Sequence, residues 1–253
     1  MTEIKIDLHT HSEGSYDGKE PVELMVEHGE DIDIDGFAVT DHDEIEESLK
    51  ACEIAEDYDT VVLPGEEVST SDGHLLAIGV EEKVDPSRPF QETVDDIRDK
   101  GGAAVVPHPF QKTRHGVSKR KIKDVDAVEA YNSWIFTGLQ NRRAKKFSDK
   151  KGFPKVAGSD AHTLGLIGKA YAKIHIDKPR KEIEPEDVVE ALRNGKVGME
   201  GSRAPIHKAA YHYLKASVRK TAYFTSKFLE ELIPEVKRYS KPLIEIYRKD
   251  FTG

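Results

Sequence analysis

The sequence predicts an α/β fold in which parallel strands, each followed by a helix, close toward a barrel. Three observations carry this expectation. Short apolar runs alternate with segments whose apolar residues recur on one helical face. The runs number about seven or eight, which suits closure better than an open sheet. Histidines and carboxylates stand at the ends of run after run, where they fill no apolar space. If the strands lie parallel, those ends gather at one mouth.

Taken in order, residues 4–8 form the first run, leading into His9 and His11. Residues 20–30 follow as a helix with Val22, Met25 and Val26 on one face and Pro21 suited to its first turn. The run 36–39 precedes Asp41 and His42, and its helix, 43–57, carries Ile45, Leu49, Cys52 and Ile54. Residues 60–63 lead to Glu66 and Glu67, and His74 opens a further run, 75–78. Helix 89–100 places Phe90, Val94 and Ile97 on one side and stops at Gly101-Gly102. Run 103–106 precedes His108, and 124–131 reads as a short buried strand with helix 139–151 behind it. Run 155–158 precedes Asp160 and His162. Helix 185–194, with Val188, Val189 and Leu192 inward and Gly195 as its stop, ends the alternation.

Beyond Ala204-Pro205 the texture changes to helix formers interrupted by Pro234 and Pro242. The division is therefore a barrel domain over 1–203 and a helical C-terminal extension over 204–253. The extension pairs an apolar stripe (Tyr211, Leu214, Val218, Ala222, Leu229) with Lys208, Lys215, Arg219, Lys220 and Lys227. With Tyr213, Tyr223 and Phe224 interleaved, it suits RNA or DNA binding. An amphipathic helix packed on the barrel explains the same pattern.

At 253 residues the chain has room for one large domain with an appendage, and 37% hydrophobic against 34% charged residues describes a water-facing globule. A net charge of −9 argues against nucleic-acid binding by the surface as a whole. Cys52, the single cysteine, excludes an intrachain disulfide and lies in a helical stripe as a core residue. No stretch resembles a signal peptide or approaches bilayer-spanning length, so a cytoplasmic location is expected, without membrane partners.

His9 and His11 alternate along a strand, so both imidazoles point one way and can share a metal. The repetition of strand followed by ligand at Asp41-His42, Glu66-Glu67, His108 and Asp160-His162 points to several metals at one mouth. Adjacent divalent ions roughly 3.5–4 Å apart can share a hydroxide and clamp the oxygens of a phosphoryl group in an in-line displacement. Nitrogen and oxygen ligands of this kind accept zinc, manganese or iron. Lys112, Arg114 and His115 follow His108-Pro109 on the same face, and Arg203 is a further candidate for holding phosphate.

Residues 7–11 (Asp-Leu-His-Thr-His), Thr40-Asp41-His42, His108-Pro109 and residues 158–162 (Gly-Ser-Asp-Ala-His) resemble the four motifs of the PHP (polymerase and histidinol phosphatase) domain, in order over about residues 4–203. The resemblance implies a distorted (β/α)7 barrel and a metal-dependent phosphoesterase with two or three divalent ions. Its substrate would be a small phosphomonoester, a nucleotide or a short oligonucleotide, attacked by a hydroxide bridging the metals. It further implies three groups of ligands: His9, His11, Glu67 and Asp160; Glu67, His74 and His108; and Asp17, His42 and His162. The family's Pro-Gly-x-Glu pattern selects Glu67 over Glu66 as the bridge. Asp41 is expected behind the ligands, orienting an imidazole. A non-catalytic or nucleic-acid-binding PHP module, engaging RNA or DNA through the basic extension, is the alternative, and it predicts eroded ligands.

Overall fold

A computed structural model describes residues 2–135 and 138–205, all but the last of them in a compact unit that runs to Ala204. Ten strands and five helices make up the described fold. They are β1 (Thr2–Thr10), α1 (Val22–Asp31), β2 (Gly36–Val39), α2 (Glu46–Ala55), β3 (Val61–Leu63), β4 (Gly65–Thr70), β5 (Gly73–Ile78), α3 (Phe90–Asp99), β6 (Ala103–Val106), β7 (Ala127–Asn132), α4 (Leu139–Lys151), β8 (Lys155–Gly158), β9 (Ala170–Ile176), α5 (Pro185–Arg193) and β10 (Val197–Gly201). The extension expected over 204–253 lies, beyond Pro205, outside the described residues. No described helix is long and apolar enough to cross a membrane.

The α/β class is as expected, but the closed barrel of parallel strands is not what forms. The strands make two five-stranded sheets, ordered β10-β9-β1-β2-β3 and β4-β5-β6-β7-β8. Parallel pairing holds for β1/β2, β2/β3, β6/β7 and β7/β8, whereas β9 lies antiparallel to β1 and β10, and β5 antiparallel to β4 and β6. The reason is local. Thr70 pairs with Gly73, so only Ser71 and Asp72 join β4 to β5, and so short a loop can connect only antiparallel strands. Between the sheets, ladders give way to isolated bridges, Thr10 with Ala161 and His42 with Glu67.

Two apolar layers fill the fold. Ile4, Ile6 and Leu8 of β1 meet Leu76, Ile78, Ala103, Val105, Ala172 and Ile174 between the sheets. On the outer side of the second sheet, Leu75, Ala77, Ala104 and Val106 pack with Phe90, Val94, Ile97 and Phe147 of α3 and α4. Successive residues of β5 and β6 thus serve opposite layers, as a strand buried on both faces requires. Helix α5 adds Val188, Val189 and Leu192 to the layer between the sheets. A reciprocal capping box between Glu184 and Asp187 starts this helix, with Pro185 in its first turn.

Candidate metal centre

His9 and His11 leave the end of β1 fully buried on one side of the strand. The loop after β8 is laced to them: the Asp160 N–H donates to the His9 carbonyl at 2.7 Å, and the His11 N–H donates to Ala161 at 2.8 Å. Asp160 (φ 56°) and His108 (φ 25°) both hold left-handed backbone, a conformation that costs free energy in residues other than glycine and clusters at functional sites. His74 reaches the same mouth because β5 runs antiparallel. Its first residues, not its last, lie beside the end of β6, from which His108 follows.

Glu67 stands at the centre. Its Oε1 faces His74 Nδ1 at 2.8 Å and His108 Nε2 at 3.0 Å. Its Oε2 faces His9 Nε2 at 3.3 Å, and His11 Nε2 and His42 Nδ1 at 3.4 Å. Asp160 Oδ1 lies 3.7 Å from His9 Nε2 and 3.6 Å from His11 Nε2. Asp17 Oδ2 lies 3.0 Å from His162 Nε2 and 3.7 Å from His42 Nε2. All nine residues named from the sequence as ligands therefore converge, and each belongs to at least one group of three able to hold an ion.

These spacings fit divalent metals. His9 Nε2 and His11 Nε2 are 3.2 Å apart, close to the roughly 3.3 Å edge of a tetrahedron with metal–ligand bonds of about 2.0–2.1 Å. Asp160 Oδ1 is buried without a hydrogen-bond partner, a costly state for a carboxylate oxygen unless a cation meets it.

The protein's own charges lean the same way. Burial pushes the Glu67 carboxyl up, but His74, His42 and His9 outweigh it and hold the group well below the usual range. For Asp160 the opposing influences on burial are Arg114 and His9, and for Asp17 they are His162 and His42, with the same net direction. Burial lowers His11, yet Asp160 and Glu67 bring it to about 10. Imidazolium protons thus balance buried carboxylates, and a divalent ion would displace them.

The remaining sequence candidates have different fates. Arg114 Nη1 lies 2.5 Å from Asp160 Oδ2, which brings its guanidinium to the cluster. His115 stacks on His74 with ring centroids 5.0 Å apart. Lys112 and Arg203 are exposed, Arg203 over Gly138, and no described hydrogen bond or ion pair ties either to the nine. Glu66 turns away, accepting the Val84 N–H at 2.5 Å. Asp41 does not orient an imidazole directly. It accepts the Ser12 N–H at 2.8 Å and also bonds the Ser12 hydroxyl, while His11 Nδ1, 4.0 Å away, is closer to Ser15 Oγ at 3.1 Å. Cys52 is only partly buried, its thiol against the Val62 carbonyl.

Glu129, Asn132 and Tyr16, none of them a sequence candidate, also meet the cluster. Glu129 Oε1 lies 3.1 Å from His9 Nδ1, Asn132 donates to Asp160, and Tyr16 stacks on His42 at 4.8 Å. A signal for the first was present, since an acid in the middle of a buried strand demands a partner.

A family model described as PHP-associated matches residues 138–197. An uncharacterized protein of Methanocaldococcus jannaschii is 27% identical over 201 residues, 75% of this chain and 79% of its own. Among solved structures, a two-domain protein of Bacteroides vulgatus containing a predicted PHP-like metal-dependent phosphoesterase superposes with a TM-score of 0.64 at 17% identity, over 79% of this chain. The chain shares its fold with a protein containing a predicted PHP-like domain, and residues 138–197 resemble a PHP-associated segment. It spans 65% of that two-domain protein's length. PsfC of Pseudomonas syringae shares this fold with a TM-score of 0.65 at 13% identity, over 86% of this chain and all of its own.

Proposed function

We propose that this chain is a PHP-type metal-dependent phosphoesterase acting on a phosphomonoester, a nucleotide or a short oligonucleotide, with two or three divalent ions of zinc, manganese or iron. One observation carries the reading: the two oxygens of Glu67 face separate sets of imidazoles, as a carboxylate bridging two ions does. His9, His11 and Asp160 would complete one site with Glu67, His74 and His108 a second, and Asp17, His42 and His162 a third. A non-catalytic module would have no need to keep such a set whole. The fold likeness to a protein containing a predicted PHP-like metal-dependent phosphoesterase agrees with the proposal.

Bound divalent ions would supply Lewis acidity and ionised water at neutral pH. The chain's own groups do the rest. Arg114 brings a planar pair of N–H donors to the edge of the cluster, suited to two oxygens of a phosphate. Lys112 and Arg203 supply exposed positive charge for steering. No serine nucleophile is required in this scheme, and the Ser12 and Ser15 hydroxyls bond Asp41 and His11.

The test is elemental analysis of protein purified without chelator, alongside hydrolysis of an aryl phosphate with added manganese or zinc. Two or three ions per chain and metal-dependent turnover are expected, both lost in His9→Ala or Asp160→Ala. A chain that takes up no metal and stays inert would end the proposal.

A further inference from the structure

We infer that Glu129 and Asn132, three residues apart on β7, are positioning residues that hold the ligands of both sheets in register; this rests on the metal-site reading above. Glu129 is 1% exposed and spends each of its oxygens on a different ligand-bearing segment. Its Oε1 meets His9 Nδ1 at 3.1 Å, across from the second sheet to β1 of the first. Its Oε2 accepts the backbone N–H of His108 at 2.6 Å, fixing the residue whose left-handed backbone needs support.

Asn132 joins this carboxylate to another. Its Nδ2 donates to Glu129 Oε2 and to Asp160 Oδ2, both at 2.9 Å, while its Oδ1 accepts the Trp134 N–H at 3.0 Å. The amide has only this orientation open to it, since a flip would turn its oxygen onto two carboxylates and its NH2 onto an N–H. Asn141 anchors the arrangement from α4, accepting the Asn132 N–H at 3.1 Å and donating to the Asn132 carbonyl at 3.0 Å. Gly158 leaves the necessary space: a Cβ there would lie 2.5 Å from His9 Cβ and 2.6 Å from Glu129 Oε1.

The consequence is chemical. A carboxylate accepting from Nδ1 favours a proton on that nitrogen, so the nitrogen His9 would offer to a metal is Nε2, the atom that faces His11, Glu67 and Asp160. Asn132 and Arg114 together occupy Asp160 Oδ2, which leaves Oδ1 to face the imidazoles.

The experiment is a calorimetric titration of the full chain and of Glu129→Gln with zinc alone. Weaker zinc binding by roughly 10–100-fold in the variant is expected. A zinc affinity within threefold of the parent's would overturn the positioning role and leave the metal site standing. A parent that binds no zinc would remove both. The second readout is the imidazole 1H–15N spectrum of the zinc-loaded parent, which remains informative if the variant fails to fold. His9 is expected to carry its proton on Nδ1 with a strongly downfield resonance, moving upfield in Glu129→Gln where the acceptor is uncharged. His9 bound to zinc through Nδ1 would defeat the inference.

Discussion

Glu66 and Glu67 are neighbours in β4, and a strand sends successive side chains to opposite faces. Glu67 enters the histidine cluster, whereas Glu66 is fully buried on the other side, where burial pushes its carboxyl up to about 7 despite the bond from Val84. Below the ordinary value of 4.5 both the folded and unfolded states hold its proton. From 4.5 to about 7 only the folded state holds it, so this group makes stability fall as pH rises. Glu66→Gln removes that slope. In urea melts of chelated protein, the variant should gain about 2 kcal/mol on the parent between pH 5 and pH 8. An unchanging difference would count against the buried carboxyl. Glu67→Gln, by contrast, should cost bound metal and turnover together, while Glu66→Gln keeps both. Arg114 permits a further residue-scale prediction. Arg114→Lys keeps a charge but loses the fork, so KM for an aryl phosphate should rise roughly tenfold with metal content intact. A fall in metal content instead would recast Arg114 as a support for Asp160.

Helix α5 shows how an element can matter without touching the site. It packs where the two sheets do not pair, and Val189 lies against Gly79 at the end of β5 away from His74. Leu192 is fully buried there, so Leu192→Ala should cost about 2–5 kcal/mol in a denaturant melt while the folded protein takes up as much metal as the parent. Loss of metal at full stability would mean that α5 is coupled to the mouth. The helix was legible because Val188, Val189 and Leu192 lie on one face between Pro185 and Gly195. Strands β2, β6 and β8 were legible as four-residue apolar runs, and α4 has the expected limits, Leu139–Lys151. Strand β4 was not, because Glu66, Glu67, Ser69 and Thr70 read as the loop beyond a strand rather than as a strand themselves. Strand β9 had a signal, strict alternation of Ala170, Ala172, Ile174 and Ile176 as buried residues, that a search for parallel runs overlooks. The nine converging residues announce themselves as histidines and acids beside apolar runs. Their supports do not, because the links from Glu129 to His9 and from Ser12 to Asp41 join residues far apart in sequence.

For the molecule as a whole, the buried cluster links stability, metal and pH. Without metal, protons on His9 and His11 offset Glu67, Asp160 and Asp17 inside a closed space. His11, raised from 6.5 to about 10 against the cost of burial, contributes stability that is complete below 6.5 and is lost as pH climbs through about 10. Metal binding reverses the trend, since an ion must displace those protons and binds more tightly as they become easier to remove. An ion at a hundred times its Kd adds about 2.7 kcal/mol. In a chain of this size that amounts to a Tm increase of roughly 5–10 °C. The gap in Tm between protein with excess zinc or manganese and protein with chelator should therefore widen from pH 6.5 to pH 9. Melts at both values check this, and titrations in buffers of different ionisation enthalpy should register proton release at the lower pH. A gap that stays constant or narrows, with no protons released, would mean that the imidazoles are not where the ions bind. The expected widening would make proton-for-metal exchange the process that sets the pH range in which this protein would hold its ions.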